Sequence, residues 1–248
     1  MKNLYFNKII ISQIYFQIRH FFQNILKKKD HFHDKIYSDG YSFFGKKISN
    51  TTISRLEKYT NLDSFDFVNK RFELEASDLK IIYKELDDLG VIKFIKTYLG
   101  EKLYCYDNSI LILGSKKSFE GSWQPHHDSK GRRLKIYIWL SPKSNETHPL
   151  YYIKKSHKKI LFWDNYKDTR FPKDSEDRFS KIYGDIGDII LFDTHGIHSY
   201  FKNTTKTRSV VELTFESSGL FNRFNDNIHS GQKEIERIKA EKIENFLK

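Results

Sequence analysis

The hydrophobic period of this chain changes once, near residue 100, and that change restricts the fold more than any other feature of the sequence. Before it, apolar residues recur at helical spacing from about Leu79 to Tyr98. Ser77 or Asp78 can cap this helix, and Gly100 can end it. After it, apolar and polar residues alternate in short runs bounded by turn residues, which is typical of strands. Many short strands favour a closed or two-sheet β architecture over an alternating α/β fold.

Seven short runs after the predicted helix have the composition of strands. The clearest is Leu134–Leu140, in which Leu and Ile side chains alternate with Lys135, Tyr137 and Trp139. One of these two sets lines the interior and the other packs outside it, and the alternation alone leaves both assignments open. The mixed composition of residues 30–70 predicts irregular structure. The seven strand candidates are Leu103–Tyr106, Ile110–Leu113, Leu134–Leu140, Leu150–Ile153, Ile189–Phe192, Ser199–Phe201 and Ser209–Phe215.

Length, cysteine content and hydropathy exclude several classes of protein. The 248 residues fit one principal domain, and 21 Phe, 15 Tyr and 3 Trp argue against a disordered chain. The single cysteine, Cys105, rules out an internal disulfide and a multi-thiolate metal site. This cysteine usage fits a reducing compartment, and we expect a cytoplasmic protein. No stretch approaches about 18 uninterrupted apolar residues, so the sequence predicts no membrane-spanning helix.

The chain carries 43 Lys and Arg against 32 Asp and Glu, a formal net charge of +11. This excess favours anionic partners, such as a phosphorylated or carboxylate substrate, a lipid headgroup surface or nucleic acid. Lysines that are merely solvated explain the excess equally well. Because the sequence has no zinc-finger or RNP-type motif, we do not expect nucleic acid binding. We expect a small-molecule substrate instead, and the charge is compatible with an anionic one.

Residues 1–29 form a segment with a pattern of its own. Apolar residues from Ile11 to Ile25 recur at helical spacing, and the basic run Lys27–Lys29 follows. Gln, Arg and His interrupt the apolar run and no small-residue cleavage site follows it, so a secretory signal is not predicted. The pattern predicts an amphipathic helix. This helix either packs against the domain or a partner, or lies at the surface of an anionic membrane, which would make the protein peripheral to it.

The sequence Gln-Pro-His-His-Asp, which ends at Asp128, holds the residues best suited to metal binding. In an extended chain residues i and i+2 project to the same side, so His126 and Asp128 can point inward together while His127 points away. A third donor is available downstream, at His198 or at its competitor His195. Two histidines and one carboxylate on one face of a metal leave three positions open, as in non-haem Fe(II) oxygenases.

Arg208 lies ten positions after His198, just before the predicted strand Ser209–Phe215. The run Asn203–Thr205 has the composition of a reversal between two antiparallel strands. If that pairing puts residues 198 and 208 on one face, a guanidinium projects into the cavity near the metal. Arginine suits this position because its rigid fork binds a carboxylate through two hydrogen bonds and stays charged when partly desolvated.

Several segments, taken in order, resemble one known family. They are His126-His127-Asp128-Ser129, the runs 133–140, 151–158 and 187–198, and finally Asn203 and Arg208. Over roughly residues 98–215 they resemble the phytanoyl-CoA dioxygenase family of Fe(II)/2-oxoglutarate oxygenases. Their order and spacing are more specific than any one motif. One departure is Lys155, which stands where the family usually has Gly before Ser-His, so the shape of that turn is expected to differ.

The resemblance implies a double-stranded β-helix (jelly-roll) core over about residues 98–216. It implies that His126, Asp128 and His198 bind Fe(II), and that Arg208 anchors the distal carboxylate of 2-oxoglutarate. It also implies consumption of O₂ and release of succinate and CO₂, with Asp128 favouring hydroxylation or desaturation over halogenation. We predict a single oxygenase domain over residues 30–248, and the apolar spacing of Gln232–Leu247 predicts a helix at its end.

These observations predict an Fe(II)/2-oxoglutarate-dependent dioxygenase that hydroxylates or otherwise oxidises a small molecule. Two alternatives from other classes stay open on the sequence. A cupin-like metal-dependent isomerase or hydrolase would use the same barrel without Arg208 or 2-oxoglutarate. A non-catalytic module would use the positive charge and the N-terminal helix to bind membranes or other anions.

Overall fold

The computed structural model describes residues 14, 17–18, 21–22, 31–61, 67, 69–100, 103–114, 125–128, 133–158, 176–199, 206–217, 241–242 and 247. The helices with defined bounds are α1 (His31–Asp39), α2 (Asn50–Leu56), α3 (Ala76–Asp88) and α4 (Val91–Leu99). The strands are β1 (Tyr41–Lys47), β2 (Asn69–Glu73), β3 (Leu103–Leu113), β4 (Arg133–Trp139), β5 (Leu150–Tyr152), β6 (Ser180–Ile182), β7 (Asp188–Asp193), β8 (His198–Ser199), β9 (Arg208–Ser217) and β10 (Glu241–Lys242).

The strands form two antiparallel sheets. The larger sheet has the order β1-β7-β4-β9-β3-β10, with β2 also paired to β3, and the smaller sheet has the order β6-β5-β8. Neighbours in both sheets come from distant parts of the chain, so long-range pairing rather than local hairpins builds the fold. The prediction of a mainly β domain with flanking helices is confirmed.

Strand β4 lies inside the larger sheet and is buried on both sides. Its Leu and Ile side chains join an apolar core that includes residues of α3 and α4. Its Tyr137 and Trp139 join a second core, to which the smaller sheet contributes residues such as Tyr152. The two sheets therefore pack face to face. The alternation of the strand then puts Lys135 on the same interior side as Tyr137 and Trp139, which decides the assignment that the sequence left open.

The long helix predicted over residues 79–98 is two helices. Gly90, with φ of 87°, adopts the left-handed conformation between α3 and α4, which glycine reaches at little cost. Gly100 ends α4 as predicted, and its N–H donates to the Lys96 carbonyl over 2.8 Å. Helix α3 begins at Ala76, so the predicted cap Asp78 lies in its first turn. There the Asp78 carboxylate is buried and pairs with Arg55.

Three strands besides β10 were not predicted from the sequence. Strand β1 lies in the segment 30–70 that was predicted to be irregular, β2 begins at its end, and β6 lies between the later strand candidates. Few of their residues alternate clearly in polarity, and pairing with partners far along the chain makes them strands: Tyr41 of β1, for example, lies opposite Phe192 of β7. The two candidates 103–106 and 110–113 are one strand, β3, with an irregular register between Tyr106 and Ser109.

The predicted C-terminal helix over residues 232–247 is wrong at two positions. Glu241 and Lys242 form β10, which pairs with β3 opposite Cys105 and Tyr104. Leu247 packs against the core that contains α3 and α4. Tertiary pairing overrides the helical spacing of this stretch at 241–242, as it does for many segments of ambiguous propensity. The other residues of the predicted helix lie outside those that the structure describes.

Part of the N-terminal segment is described. Ile14, Gln17, Ile18, Phe21 and Phe22 are helical, in agreement with the predicted amphipathic helix at these positions. The four apolar side chains among them are exposed. In the described part of the chain, no helix is long and apolar enough to cross a membrane. The remaining residues of the segment 1–29 lie outside the described ranges.

Candidate metal centre

Backbone hydrogen bonds join the two segments that carry the predicted metal ligands. The N–H of His126 donates to the His198 carbonyl over 3.0 Å, and the N–H of His198 donates back to the His126 carbonyl over 2.9 Å. The N–H of Asp128 donates to the carbonyl of Thr194 over 2.9 Å. These bonds hold residues that are about 70 positions apart in the chain against each other, before any side chain is considered.

The side chains of His126, Asp128 and His198 converge as predicted. One ligand atom from each lies within 4.8 Å of those from the other two. Oδ1 of Asp128 is 3.2 Å from Nε2 of His126 and 3.5 Å from Nε2 of His198. Both histidines are buried, and the Asp128 side chain is 13% exposed. Two imidazole nitrogens and one carboxylate oxygen thus face a common point from one side.

The environment of His198 prepares its Nε2 to act as a ligand. Nδ1–H of His198 donates a hydrogen bond to the Gly196 carbonyl over 2.9 Å, which fixes the orientation of the ring. The lone pair of Nε2 is then available to bind a metal. Burial lowers the pKa of His198, although the nearby Asp128 carboxylate acts in the opposite direction. A neutral imidazole is the form that binds metals.

Gly196 is required by the packing around this turn. A Cβ atom at residue 196 would lie 1.8 Å from Oη of Tyr152, which no side chain can tolerate. The Tyr152 hydroxyl donates to the Asp193 carbonyl over 2.7 Å and so closes the turn that precedes His198. The sequence shows the glycine, but only the packing of Tyr152 shows why a larger residue does not fit.

Asp128 is held from its other side by a lysine of β4. Nζ of Lys135 lies 2.9 Å from Oδ2 of Asp128, the oxygen that does not face the histidines. Burial raises the pKa of Asp128, but the Lys135 ammonium, His198 and the hydrogen bond with His126 outweigh burial and keep this pKa well below its ordinary value. The carboxylate is therefore ionised at neutral pH, as a metal ligand must be.

Glu212 of β9 completes a buried charged row on the interior face. Its Oε1 lies 3.6 Å from Nζ of Lys135 and accepts a hydrogen bond of 2.7 Å from Nη1 of Arg71. Its Oε2 accepts a 2.9 Å hydrogen bond from the Tyr137 hydroxyl. Burial raises the pKa of Glu212, but the charges of Lys135 and Arg71 outweigh it and bring the pKa to about 2. Sequence analysis missed Glu212, whose only signal was a carboxylate inside an apolar strand.

The predicted pairing of the strands around residues 203–205 is wrong. His198 lies in β8 of the smaller sheet, whereas Arg208 begins β9 of the larger sheet. The two residues therefore reach the interior from facing sheets and not from one hairpin. The prediction assumed that consecutive strands pair, but in a two-sheet fold the chain crosses from one sheet to the other instead.

Arg208 nevertheless lies in the interior, and it is fully buried. Its guanidinium carbon is 5.4 Å from the ring centroid of Tyr137 and 5.6 Å from that of Trp139. Its Nη1 donates to the His148 carbonyl over 3.1 Å. The ring of Tyr137 contacts that of Phe192, which in turn lies 5.5 Å from the His198 ring. A continuous row of rings thus connects the buried guanidinium to the candidate metal centre.

His127 and His195 form a second pair of buried histidines next to the centre. Their ring centroids lie 5.6 Å apart, with the rings nearly perpendicular. His195 was the competitor for the third ligand position. The structure places it with His127 and places His198 with the converging donors.

Lys155, which stands where the family usually has Gly, has a left-handed backbone. Its φ of 65° is the only positive φ of a non-glycine residue in the described ranges. The left-handed conformation costs a side-chain-bearing residue about 1–2 kcal/mol and costs glycine little, which explains a preference for Gly before Ser-His. The N–H of Lys155 donates to the Asp39 carbonyl over 3.0 Å, which ties this turn to the end of α1. The expectation that the turn differs in shape from that of the family stays a prediction.

The donor set fits a divalent transition metal. Two imidazoles and one carboxylate on one face are typical of Fe(II) sites that leave positions open for other ligands. Among the described residues, no other group of three His, Cys, Asp or Glu side chains brings its ligand atoms this close. His126, Asp128 and His198 are therefore the residues that would hold the metal.

No protein-family model matches the chain, and no curated protein matches it by sequence. Solved structures do match it. The epimerase SnoN in complex with Fe³⁺, alpha-ketoglutarate and nogalamycin RO is 15% identical, with a TM-score of 0.53, over 75% of this chain and 82% of SnoN. HygX from Streptomyces hygroscopicus, with nickel, 2-oxoglutarate and hygromycin B bound, is 15% identical, with a TM-score of 0.56, over 88% of this chain and 100% of HygX.

EctD from S. alaskensis in its apoform is 17% identical, with a TM-score of 0.52, over 74% of this chain and 75% of EctD. At these identities the matches show a shared fold. The predicted jelly-roll core is therefore confirmed. Membership of the phytanoyl-CoA dioxygenase family stays a prediction.

Proposed function

We propose that this protein is a non-haem Fe(II)/2-oxoglutarate-dependent dioxygenase that hydroxylates or otherwise oxidises a small molecule. The observation that carries the proposal is the convergence of His126, Asp128 and His198 on one point inside a jelly-roll core. Two solved structures with this fold hold a metal together with 2-oxoglutarate (alpha-ketoglutarate): Fe³⁺ in SnoN and nickel in HygX. One of these is an epimerase, so the reaction outcome is proposed here only as an oxidation that consumes 2-oxoglutarate.

Each residue of the site has a defined part in this proposal. Fe(II) and 2-oxoglutarate supply the oxidising chemistry when they are bound. His126, Asp128 and His198 would hold the metal from one face and leave the other coordination positions open. Arg208 binds the distal carboxylate of 2-oxoglutarate, for which a buried, permanently charged fork is suited. The rings of Tyr137, Trp139 and Phe192 keep water away from this carboxylate.

The proposal predicts turnover that needs both iron and 2-oxoglutarate. A screen of phosphorylated, acyl and sugar compounds should find a substrate that stimulates succinate release by the wild-type protein. Asp128→Ala should reduce this release to background because the metal loses the only anionic ligand among His126, Asp128 and His198. Asp185→Ala, on the exposed surface, is the matched control and should keep wild-type turnover. Near-normal succinate release by a folded Asp128→Ala variant would contradict the ligand role.

Arg208 separates this proposal from a cupin-like isomerase or hydrolase, which needs no 2-oxoglutarate. Arg208→Met should weaken 2-oxoglutarate binding to the Co(II)-loaded protein about tenfold or more, since a buried charge pair is lost. Calorimetric titration should show little change in Co(II) affinity. Arg55→Met, which removes an ion-paired guanidinium on the helix side, should change neither affinity. Equal losses of metal and 2-oxoglutarate binding in Arg208→Met would argue against the anchor.

A further inference from the structure

The two oxygens of Asp128 have different surroundings, and this difference bears on how the residue binds a metal. Oδ1 faces Nε2 of both His126 and His198, at 3.2 and 3.5 Å. Oδ2 points the other way and lies 2.9 Å from Nζ of Lys135. A carboxylate can bind a metal through one oxygen or through both. The second mode requires both oxygens to turn toward the metal, and Lys135 opposes that rotation.

Lys135 is itself held in place by the charged row on the interior face. Its ammonium lies between Asp128 and Glu212, whose Oε1 is 3.6 Å away. Glu212 is fixed in turn by hydrogen bonds from Tyr137 and Arg71. Because Lys135 is buried between two carboxylates, moving its ammonium away from Oδ2 would leave a buried charge poorly compensated.

We propose that Lys135 is a positioning residue that keeps Asp128 a one-oxygen ligand and thereby preserves three open positions on the metal. This inference rests on the proposed function, which would need three positions on the metal to stay open for the cosubstrate and O₂. If Oδ2 also bound the metal, one of the three would be lost. Lys135 therefore acts on the metal through Asp128 and does not touch it.

The test counts the water molecules on the metal in the absence of 2-oxoglutarate. The full chain is loaded with Mn(II), and broadening of the Mn(II) EPR lines in ¹⁷O-enriched water gives the number of bound waters. The wild type should bind three waters, one for each open position of an octahedral ion. Lys135→Met, which keeps the apolar stem and removes the ammonium, should bind one water fewer. Lys135→Arg should restore the wild-type count.

Arg133→Met is the matched control. Arg133 lies on the same interior face of β4, is buried and forms an ion pair with Glu216. Its loss removes a buried cation of similar environment without touching Asp128, so the water count should stay at the wild-type value.

Lys135→Met should also weaken 2-oxoglutarate binding about tenfold or more, as changes to residues behind metal ligands usually do.

The outcomes separate this inference from the proposed function. A protein that binds no Mn(II) at this centre would overturn both. Bound Mn(II) with only two waters in the wild type, or the same count in wild type and Lys135→Met, would overturn the role of Lys135 and leave the oxygenase proposal standing. If Lys135→Met does not fold, Lys135→Gln makes the same comparison, and a wild-type water count in that variant would overturn the role of Lys135.

A second, independent observation concerns the N-terminal helix. Ile14, Ile18, Phe21 and Phe22 lie within about 100° of its circumference, as the 3.6-residue helical period requires. Their side chains are 43–62% exposed, so this apolar stripe faces away from the domain. Scattered single apolar residues are common on surfaces, but a continuous stripe of this kind marks a contact surface.

Lysines border the stripe. Nε2 of Gln17, at the edge of the stripe, donates to the Lys158 carbonyl over 3.2 Å, which places the turn Lys154–Lys158 beside the helix. Lys154, Lys155 and Lys158 are exposed. Three lysines therefore share one exposed turn next to Gln17. The run Lys27–Lys29 adds three more cations after the helix in the sequence.

We infer that this face binds an anionic phospholipid surface, with the apolar stripe inserted among the lipids and the lysines against the headgroups. Each basic residue near such a surface contributes about 1 kcal/mol, which adds to the burial of the apolar side chains. The partner of this surface is a membrane and not a second protein, because a row of lysines beside an apolar stripe complements acidic headgroups.

Vesicle co-sedimentation of the full chain tests this inference. The wild type should sediment with phosphatidylcholine vesicles that contain phosphatidylserine and much less with pure phosphatidylcholine vesicles. The double variant Phe21→Ser/Phe22→Ser should reduce partitioning about tenfold or more, given about 25 cal/mol for each Å² of apolar surface. The matched control Ile81→Ser/Ile186→Ser removes two exposed apolar side chains elsewhere and should sediment like the wild type.

Two results would overturn the lipid proposal. One is wild-type partitioning that is absent or indifferent to phosphatidylserine. The other is equal sedimentation of the wild type and the double variant. If sedimentation velocity instead shows a wild-type dimer that Phe21→Ser/Phe22→Ser dissociates, the stripe is an interface between two copies of the chain.

Discussion

The two sides of strand β4 are almost equally buried and yet have opposite chemistry. Ile136 and its apolar neighbours on one side pack against a core that includes helices α3 and α4. On the other side Lys135 contacts Asp128, and Tyr137 donates to Glu212. Burial therefore does not distinguish a structural core from a functional site in this protein. The distinction is that the charged groups of the interior side are paired with one another and with a candidate metal ligand.

The comparison predicts that the helix-facing side supports stability alone. Ile136→Ala should lower the free energy of unfolding by about 2–5 kcal/mol, because a fully buried side chain leaves a cavity. The variant should still bind Co(II) with wild-type affinity. Chemical denaturation and calorimetric titration measure the two quantities. A large loss of Co(II) affinity in a folded Ile136→Ala variant would break the separation between the two sides.

On the interior side, the buried carboxylate of Glu212 should make the free energy of unfolding depend on pH. The pKa of Glu212 falls from an ordinary value of 4.5 to about 2 on folding, so its contribution is present above pH 4.5 and is lost as the pH falls toward 2. The shift corresponds to roughly 3 kcal/mol. In Glu212→Gln, the decline in unfolding free energy between pH 4.5 and 2 should be shallower by this amount. An acid limb identical to that of the wild type would show that folding does not lower the pKa of Glu212.

The smallest change in the free energy of unfolding is expected for a substitution in the turn after β5. This turn belongs to neither side of β4. Lys155→Gly should raise the free energy of unfolding by about 0.5–1 kcal/mol, since relief of the left-handed backbone exceeds the entropy cost of glycine. Lys154→Gly is the matched control and should be destabilising, because Lys154 does not have a positive φ. Equal changes in the two variants would mean that the backbone of Lys155 is not strained.

Much of the site could be predicted from the sequence because its spacing is local. His126 and Asp128 are two residues apart in an extended segment, so their common direction follows from strand geometry. His198 was favoured over His195 by its distance from Arg208 and by a family resemblance, and the structure groups His198 with the other donors. The route to that result was partly wrong, because Arg208 reaches the interior from the facing sheet.

The contacts of Lys135 and Glu212 could not be predicted in the same way. They lie 77 positions apart in the chain, and only the register between β4 and β9 brings them to the same face. The sequence shows two charged residues in apolar strands and gives no sign that they compensate each other. The strands β1 and β2 were missed for the same reason, since their partners are distant in the sequence.

The sequence by itself determined the β-rich class and the common direction of His126 and Asp128. These properties follow from local periodicity and from the spacing of a few residues. The tertiary structure decided which side of β4 faces the interior, which oxygen of Asp128 faces the histidines and where the apolar stripe of the N-terminal helix points. Such properties depend on the pairing and packing of distant segments, and local patterns carry no information about them.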